Sequence, residues 1–576
     1  MKKLILSLAF ACLSAVSAMA VKAWPHPIAH VQSNGDTIYV RINGDEHFHW
    51  YTDMQGNILK KEGQDFVKLD VDPQTYIAQH TAIANTRAGI EKAAILFPHT
   101  GKPRVAVILA NFADKKFMLP NPRKSFEQYL NSTADHPEEY GNGEGRNYSS
   151  VKQYFMTMSN GKFEPQFDIY GPITLPGKSG DYGGQAEDGH DERTLATKLV
   201  QDACTAMGDS LPFAQYDQDN DGNADLVYII YAGYGQNMSD DATLVWPKRF
   251  SGFSSPKFGG KGINQCGISN ELIGNTKFPS EPYYRISGIG LFCHEFSHCL
   301  GLPDLYPTST PAQGSDNQGM EDWSLMDNGE YVYNGYCPTA YTAWEREQMG
   351  WETIPQITEA KQYKLTSETG QRAVKVVNPS DANEYFILEC FEDKGWNQRI
   401  ATNNDGSVKY NPTTRGLMIY HVKYDASKFS LGNNTVNNTK GKPGMTIIPA
   451  DGALLTSYKI DKGITPLEYA KSLNGDIFRS DDTVNDSTFT QTMNLPNAAW
   501  WTTAEATPIY NINYKDGAVY FDFLNKVATT GIGRITNEPD RIHSDRIYTL
   551  DGRYVGTDIH ALPHGIYIRG GKKYVK

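Results

Sequence analysis

From residue 104 to 112 the chain reads Arg-Val-Ala-Val-Ile-Leu-Ala-Asn-Phe, a nearly continuous apolar run. Before it, shorter runs such as Thr37-Ile38-Tyr39-Val40-Arg41-Ile42 alternate polar and apolar positions between Gly-Asp turns. Alternation predicts strands with one wet face, and the unbroken run predicts a strand buried on both. The change of pattern places a domain start near residue 101, after a polar, Ala-rich stretch over residues 82–94 that reads as a linker. Beyond it, helices are expected at 149–159, 191–207 and 288–300, with a second buried strand at 225–232. At the far end, Arg546–Val555 enters an Asp551-Gly552 turn, and residues 562–573 form a second hairpin pattern, so the tail reads as a small β-module.

This pattern divides the chain into residues 1–20, 21–100, 101–355, 356–527 and 528–576. The first segment has Lys2 and Lys3, an apolar run from Leu4 to Ala11, and small residues at Ala18 and Ala20, the features of a cleaved signal peptide. Cys12 lacks the Leu three residues upstream that a lipoprotein site prefers. No later stretch approaches about 18 uninterrupted apolar residues. The product is therefore expected to be secreted, free or attached to a cell surface, with no transmembrane segment. A formal charge of −12 argues against nucleic-acid partners. Export permits disulfides, but the pairing of Cys204, Cys266, Cys293, Cys299, Cys337 and Cys390 cannot be read from spacing. Residues 21–100, a β-rich propeptide, hold no cysteine to cap a metal; His47 and His49 are the other candidates for that role.

The chemistry concentrates in His294-Glu295-Phe296-Ser297-His298-Cys299-Leu300-Gly301-Leu302-Pro303-Asp304. Residues four apart share a helix face, so His294 and His298 are candidate zinc ligands and Glu295 a candidate general base beside the open coordination position. Gly301 and Pro303 end the helix, and the reversed chain can return Asp304 as a third, oxygen ligand. A bare H-E-x-x-H arises by chance in about two or three of a hundred such chains, but the spaced Gly and Asp make chance a poor account. Cys293 and Cys299 flank the ligands mostly off their face and read as small buried hydrophobes or disulfide partners.

A second cluster is Asp217-Gln218-Asp219-Asn220-Asp221-Gly222-Asn223-Ala224-Asp225. Alternate carboxylates around a sharp glycine turn suit one hard cation, giving a calcium site of Asp217, Asp219, Asp221, Asp225 and the Asn223 carbonyl. An EF-hand would put Glu twelve residues in, where Tyr228 stands, so this reads as an isolated calcium loop; the plainer reading is a solvated acidic turn.

Several segments together resemble the immune inhibitor A-like family of secreted bacterial metallopeptidases. They are Ser149 to Phe155 with Ser159-Asn160-Gly161, the acidic loop running into Asp225 to Gly235, the histidine motif ending in Asp304, and Trp323-Ser324-Leu325-Met326. Trp344-Glu345-Arg346, Met349-Gly350-Trp351, and the strand-like pair at 384–389 and 416–422 extend the likeness to residues 25–525. Met326 resembles the Met-turn of metzincins. The resemblance implies an α/β (α+β) zincin catalytic domain, a β-rich propeptide, C-terminal all-β domains, one catalytic Zn²⁺, structural Ca²⁺, and endopeptidase action on extracellular proteins or peptides. Two positions depart from metzincins: Asp304 stands where His is usual, and Asn328 where a Tyr often follows the methionine, leaving Tyr331 or Tyr333 as nearby substitutes. His421, on a strand, reads as structural. The tail resembles the C-terminal sorting domains of Bacteroidetes proteins exported by the type IX route, which implies a secretion machinery as a partner. The other functional class is a surface adhesin or binding protein on a zincin scaffold; the intact Glu295 argues against it, because a structural metal needs no base.

Overall fold

A computed structural model describes residues 17–19, 21–45, 48–87, 97–133, 147–184, 192–252, 255–274, 285–316, 318–368, 370–401, 414–479, 487–526, 546–569 and 572–576. The apolar run lies where its pattern demands. Arg104–Asn111 is a central strand of a six-stranded sheet, flanked in parallel by Gln166–Thr174 and Val227–Tyr234, with Gln265–Leu272 parallel beyond. Its alternate residues serve two cores. Val105, Val107 and Leu109 pack with Phe292 and Phe296, while Ala106, Ile108 and Ala110 pack with Leu199, Val200 and Ala203 of the helix Glu192–Met207. Both faces are covered, which is why the run carries no polar alternation.

The sheet ends differently. Lys248–Ser251 runs antiparallel to Gln265–Leu272, and Ser17–Met19 lies antiparallel outside it, pairing Ser17 with Ser251 and Met19 with Arg249. The segment with the features of a signal-peptide end is thus the outermost strand of this sheet. Residues 21–45 and 48–68 contain a five-stranded antiparallel meander from Ile28–Val31 to Asp65–Lys68. The helix Pro73–Arg87 follows, where the sequence suggested a linker beginning at Ala82; residues 88–94 of that stretch lie outside the described residues.

After the six-stranded sheet, strands Asp381–Glu392 and Arg415–Lys423 pair as expected, with Glu389 opposite Met418. They belong to a four-stranded sheet that shares a core with the three-stranded sheet containing Gln362–Thr366, Ile509–Lys515 and Ala518–Phe523. The outer core does not stop at residue 355: Trp344 rests on Phe429 at 5.3 Å between ring centres, and its indole donates to Tyr385 Oη at 3.2 Å. Residues up to Lys526 form one compact unit and those from Val527 another. In the second, Ile547–Thr549, Tyr554–Gly556, Ile566–Arg569 and Lys572–Val575 make a four-stranded antiparallel sheet, its first hairpin turning at Asp551-Gly552 with Gly552 at φ 85°. Among the described residues, Cys204, Cys266, Cys293, Cys299, Cys337 and Cys390 are buried free thiols. Among the described residues, no helix is long and apolar enough to cross a membrane.

Candidate metal centre and cleft

The helix Ile289–Leu300 is buried along its whole length. Phe292 stacks on Tyr228 of the sheet at 4.0 Å, so the residues two and three positions on turn away toward a second layer of chain. Gly290 is required by that layer: a Cβ there would stand 2.0 Å from the Glu330 carbonyl oxygen. At the other end Gly301 adopts φ 107°, the left-handed cap that sends the chain back, and Asp304 returns over the helix.

The return brings three ligand atoms together. His294 Nε2 lies 3.0 Å from His298 Nε2 and 3.1 Å from Asp304 Oδ1, and His298 Nε2 is 3.3 Å from the same oxygen. Two tetrahedral ligands at zinc–ligand distances of about 2.0–2.1 Å stand roughly 3.3 Å apart, so the spacing fits that ion. Protonation agrees. His294 Nδ1 donates to the Leu325 carbonyl at 2.9 Å and His298 Nδ1 to the Leu302 carbonyl at 2.7 Å, assignments that leave both Nε2 atoms as lone-pair donors facing each other. Two lone pairs and a carboxylate oxygen, all in fully buried residues, call for a cation. Burial, the largest influence, holds His294 below its ordinary pKa and so in the neutral, ligating form.

The surrounding chain locks this trio. Asn434, from the region after the β-sandwich strands begin, accepts the Asp304 amide at 2.8 Å through Oδ1 and donates through Nδ2 to Asp304 Oδ2 at 2.5 Å. Met326 is buried, and its carbonyl takes the Leu305 amide at 2.7 Å while the preceding Leu325 carbonyl orients His294. Glu330 faces His294 Nδ1 from 3.9 Å with neither carboxylate oxygen hydrogen-bonded. Burial raises its pKa well above the usual carboxylate range. Asn328 points elsewhere, donating to Asp322 at 2.6 Å.

Glu295 is also buried, and burial pushes its pKa well up. Its Oε1 accepts the backbone amide of Val21 at 2.8 Å; Oε2 has no partner. The chain N-terminal to this contact lies along the sheet edge, and the residues after it are held by Trp246 and Tyr331. Trp246 Nε1 donates to the Val21 carbonyl at 3.0 Å, and Tyr331 Oη donates to the Lys22 carbonyl at 2.6 Å. Of the two tyrosines suggested by the sequence, it is Tyr331 that faces the cleft in this way. His49 packs on Trp246 at 4.5 Å between ring centres and its Nδ1 lies 3.1 Å from the Asp45 carbonyl, so it does not cap the histidine pair; His47 lies outside the described residues. His421 sits in the β-sandwich, with Nε2 3.1 Å from Glu384.

In the acidic loop, carboxylate oxygens of Asp217, Asp219 and Asp225 converge within 4.8 Å of one another. Asp217 Oδ1 and Asp225 Oδ1 are buried without a hydrogen-bond partner, as oxygens reserved for a cation would be. Asp221 lies outside this trio and accepts the Asn223 amide on Oδ1 at 2.8 Å. Lys261, 44 residues away in the chain, pairs with Asp217 Oδ2 at 2.5 Å, so one carboxylate of the loop already has a counter-charge. No motif in the sequence pointed to Lys261, Asn434 or the Val21 contact.

Residues 99–352 match the family model described as immune inhibitor A peptidase M6, catalytic domain. The chain is 29% identical over 280 residues to immune inhibitor A of Bacillus thuringiensis subsp. alesti, a match covering 43% of this chain and 39% of that protein. It is 25% identical over 228 residues to the pre-pro-metalloprotease PrtV of Vibrio cholerae serotype O1 (strain M66-2), covering 36% of this chain and 24% of that protein. The chain therefore spans well under half the length of these relatives.

Proposed function

We propose, on the premise that residues 99–352 are a catalytic domain of the immune inhibitor A peptidase M6 family, that this protein is a secreted zinc-dependent endopeptidase. The observation that carries the reading is the contact of Glu295 Oε1 with a peptide nitrogen, 2.8 Å away, beside three buried ligand atoms in a zinc-sized triangle. His294, His298 and Asp304 would hold the ion, which when bound supplies Lewis acidity toward the scissile carbonyl and the attacking water. Glu295 takes the proton from that water and passes it to the departing nitrogen, the position where Val21 N now lies. The edge strand Lys248–Ser251 aligns the substrate as an added antiparallel strand.

The rest of the reading extends this proposal to the flanking segments. Residues 21–100 act as a propeptide whose first residues lie in the cleft, and cleavage beyond Arg87 completes maturation. Calcium binds between Asp217, Asp219 and Asp225, supported by the unpartnered Oδ1 atoms of Asp217 and Asp225. The four-stranded C-terminal module serves export. Glu295→Ala tests the core of the reading: zinc should stay stoichiometric, while turnover on casein falls by at least about 10²–10⁴-fold, the usual contribution of a general base. Full activity in this variant, with zinc bound, would refute the assignment.

A further inference from the structure

Lys22 is the residue after the one whose nitrogen faces Glu295, and its side chain enters a buried acidic recess. Its ammonium lies 3.0 Å from Asp327 Oδ1 and 3.0 Å from Ser457 Oγ, with lysine and aspartate both about 1% exposed. The rings of Tyr458 and Tyr306 flank it, with centres 5.0 and 5.8 Å from Nζ. Glu321 and Asp322 add negative potential. Burial works against the charge, yet these carboxylates hold the Lys22 pKa above its ordinary value.

The main chain through Lys22 is positioned as a substrate would be. Ser17–Met19 lies antiparallel on the edge strand, Val21 N occupies the departing-amine position, and Trp246 and Tyr331 donate to the carbonyls that follow. None of these contacts except the lysine's own depends on side chains of the inserted segment. A peptide substrate taking its place would present its second residue on the amine side to the Asp327 recess.

From this we propose that the recess around Asp327 and Ser457 is a substrate subsite selecting a basic side chain, lysine above arginine, at the second residue C-terminal to the cleaved bond. Once the N-terminal segment leaves, Asp327 is a buried carboxylate without its cation, a state that a cationic side chain of the substrate relieves. Lysine is preferred because only one carboxylate oxygen is available: Asp327 Oδ2 already accepts the amides of Met320 and Glu321 at 2.9 and 2.8 Å. A guanidinium therefore cannot bind by both oxygens, whereas an ammonium needs one.

This inference rests on the peptidase reading, and the test separates the two. The full-length chain, expressed with export and allowed to mature, is given peptides identical except for Lys, Arg, Met or Glu at that position, with casein as a general substrate. The expected result is kcat/KM for Lys at least about tenfold above Met, Arg between them, and Glu lowest. Ser457→Val should shrink the ratio of Lys to Met turnover, and Asp327→Asn should abolish the preference. Because Asp327 also holds two backbone amides, Ser457→Val and the wild-type series decide the matter if that variant does not fold. Cleavage of casein with equal rates on all four peptides would overturn the subsite. Cleavage of neither peptides nor casein would overturn the peptidase reading, and the subsite with it.

Discussion

Asn434 holds Asp304 at both ends, its carbonyl oxygen on the aspartate amide and its amide nitrogen on the aspartate carboxylate. One oxygen of Asp304 is thereby turned away, and the other, Oδ1, is left facing the two histidines. An outer partner that fixes a ligand in this way is worth about 10–100-fold in metal affinity. Asn434→Ala should accordingly lose zinc to a competing chelator about 10–100 times more readily than the parent. Unchanged competition would mean that the Gly301 turn alone positions Asp304.

Removing the ligand itself should differ from removing the base. Asp304→Ala lowers zinc retention and activity together, whereas Glu295→Ala lowers activity alone. Metal analysis after dialysis of the two variants checks this; retention of zinc by the Asp304 variant at the parent's level would assign the third ligand elsewhere.

Calcium should stabilise the sheet from the Asp217 loop, which leads directly into the strand Val227–Tyr234. The melting temperature should fall in a chelator selective for calcium over zinc and recover in millimolar calcium. In Asp219→Ala plus Asp225→Ala the difference should disappear. Lys261→Met, which removes a cation paired with Asp217, should enlarge it. A parent protein that melts alike in calcium and chelator would leave Lys261 as the loop's sole counter-charge.

The contact of Lys22 with Asp327 should keep the unprocessed chain inactive. Lys22→Glu puts a second acid against Asp327, and repulsion should release the segment from the cleft. The purified unprocessed variant should then cleave a peptide substrate faster than the parent. Equal rates would place the block farther along residues 21–100.

Acid should weaken the β-sandwich through Glu384. Burial opposes its charge, but His421 Nε2 at 3.1 Å and the amides of Trp501 and Thr502 outweigh that and lower its pKa to about 2. A carboxyl depressed in the folded state adds stability that is complete above its ordinary value of 4.5 and is lost as pH falls toward about 2. Glu384→Gln should flatten that loss; an unchanged acid limb of the melting profile would refute the attribution.

Much of the site was legible because its parts are close in sequence. His294, Glu295, His298, Gly301 and Asp304 fall within eleven residues, and helix periodicity plus one left-handed glycine settles their arrangement. The buried strands were legible for a similar reason, since an apolar run of that length bounded by polar turns must be covered on both faces. What escaped was what the tertiary fold alone assembles. Asn434 meets Asp304 across 130 residues and Lys22 meets Asp327 across 305, and no local pattern marks either partner. The Asp217 loop carries a full alternating ligand set in its sequence, but short-range Asx bonding from Asn223 to Asp221 draws that carboxylate out of the converging trio. The boundary near residue 355 reflects a change of pattern in the chain; packing continues through it because Trp344 needs apolar neighbours that the next sheet supplies.

The strand Ser17–Met19 also seals the flank of the catalytic sheet, where Lys248–Ser251 would otherwise present unpaired amides and carbonyls. An open strand flank invites pairing with any extended chain, including another molecule of the same protein. The same opening that admits a substrate thus creates a site for self-association. A chain that keeps Ser17–Met19 on this flank is guarded against clumping, and loss of residues 1–20 gives up that guard at the moment it uncovers the strand.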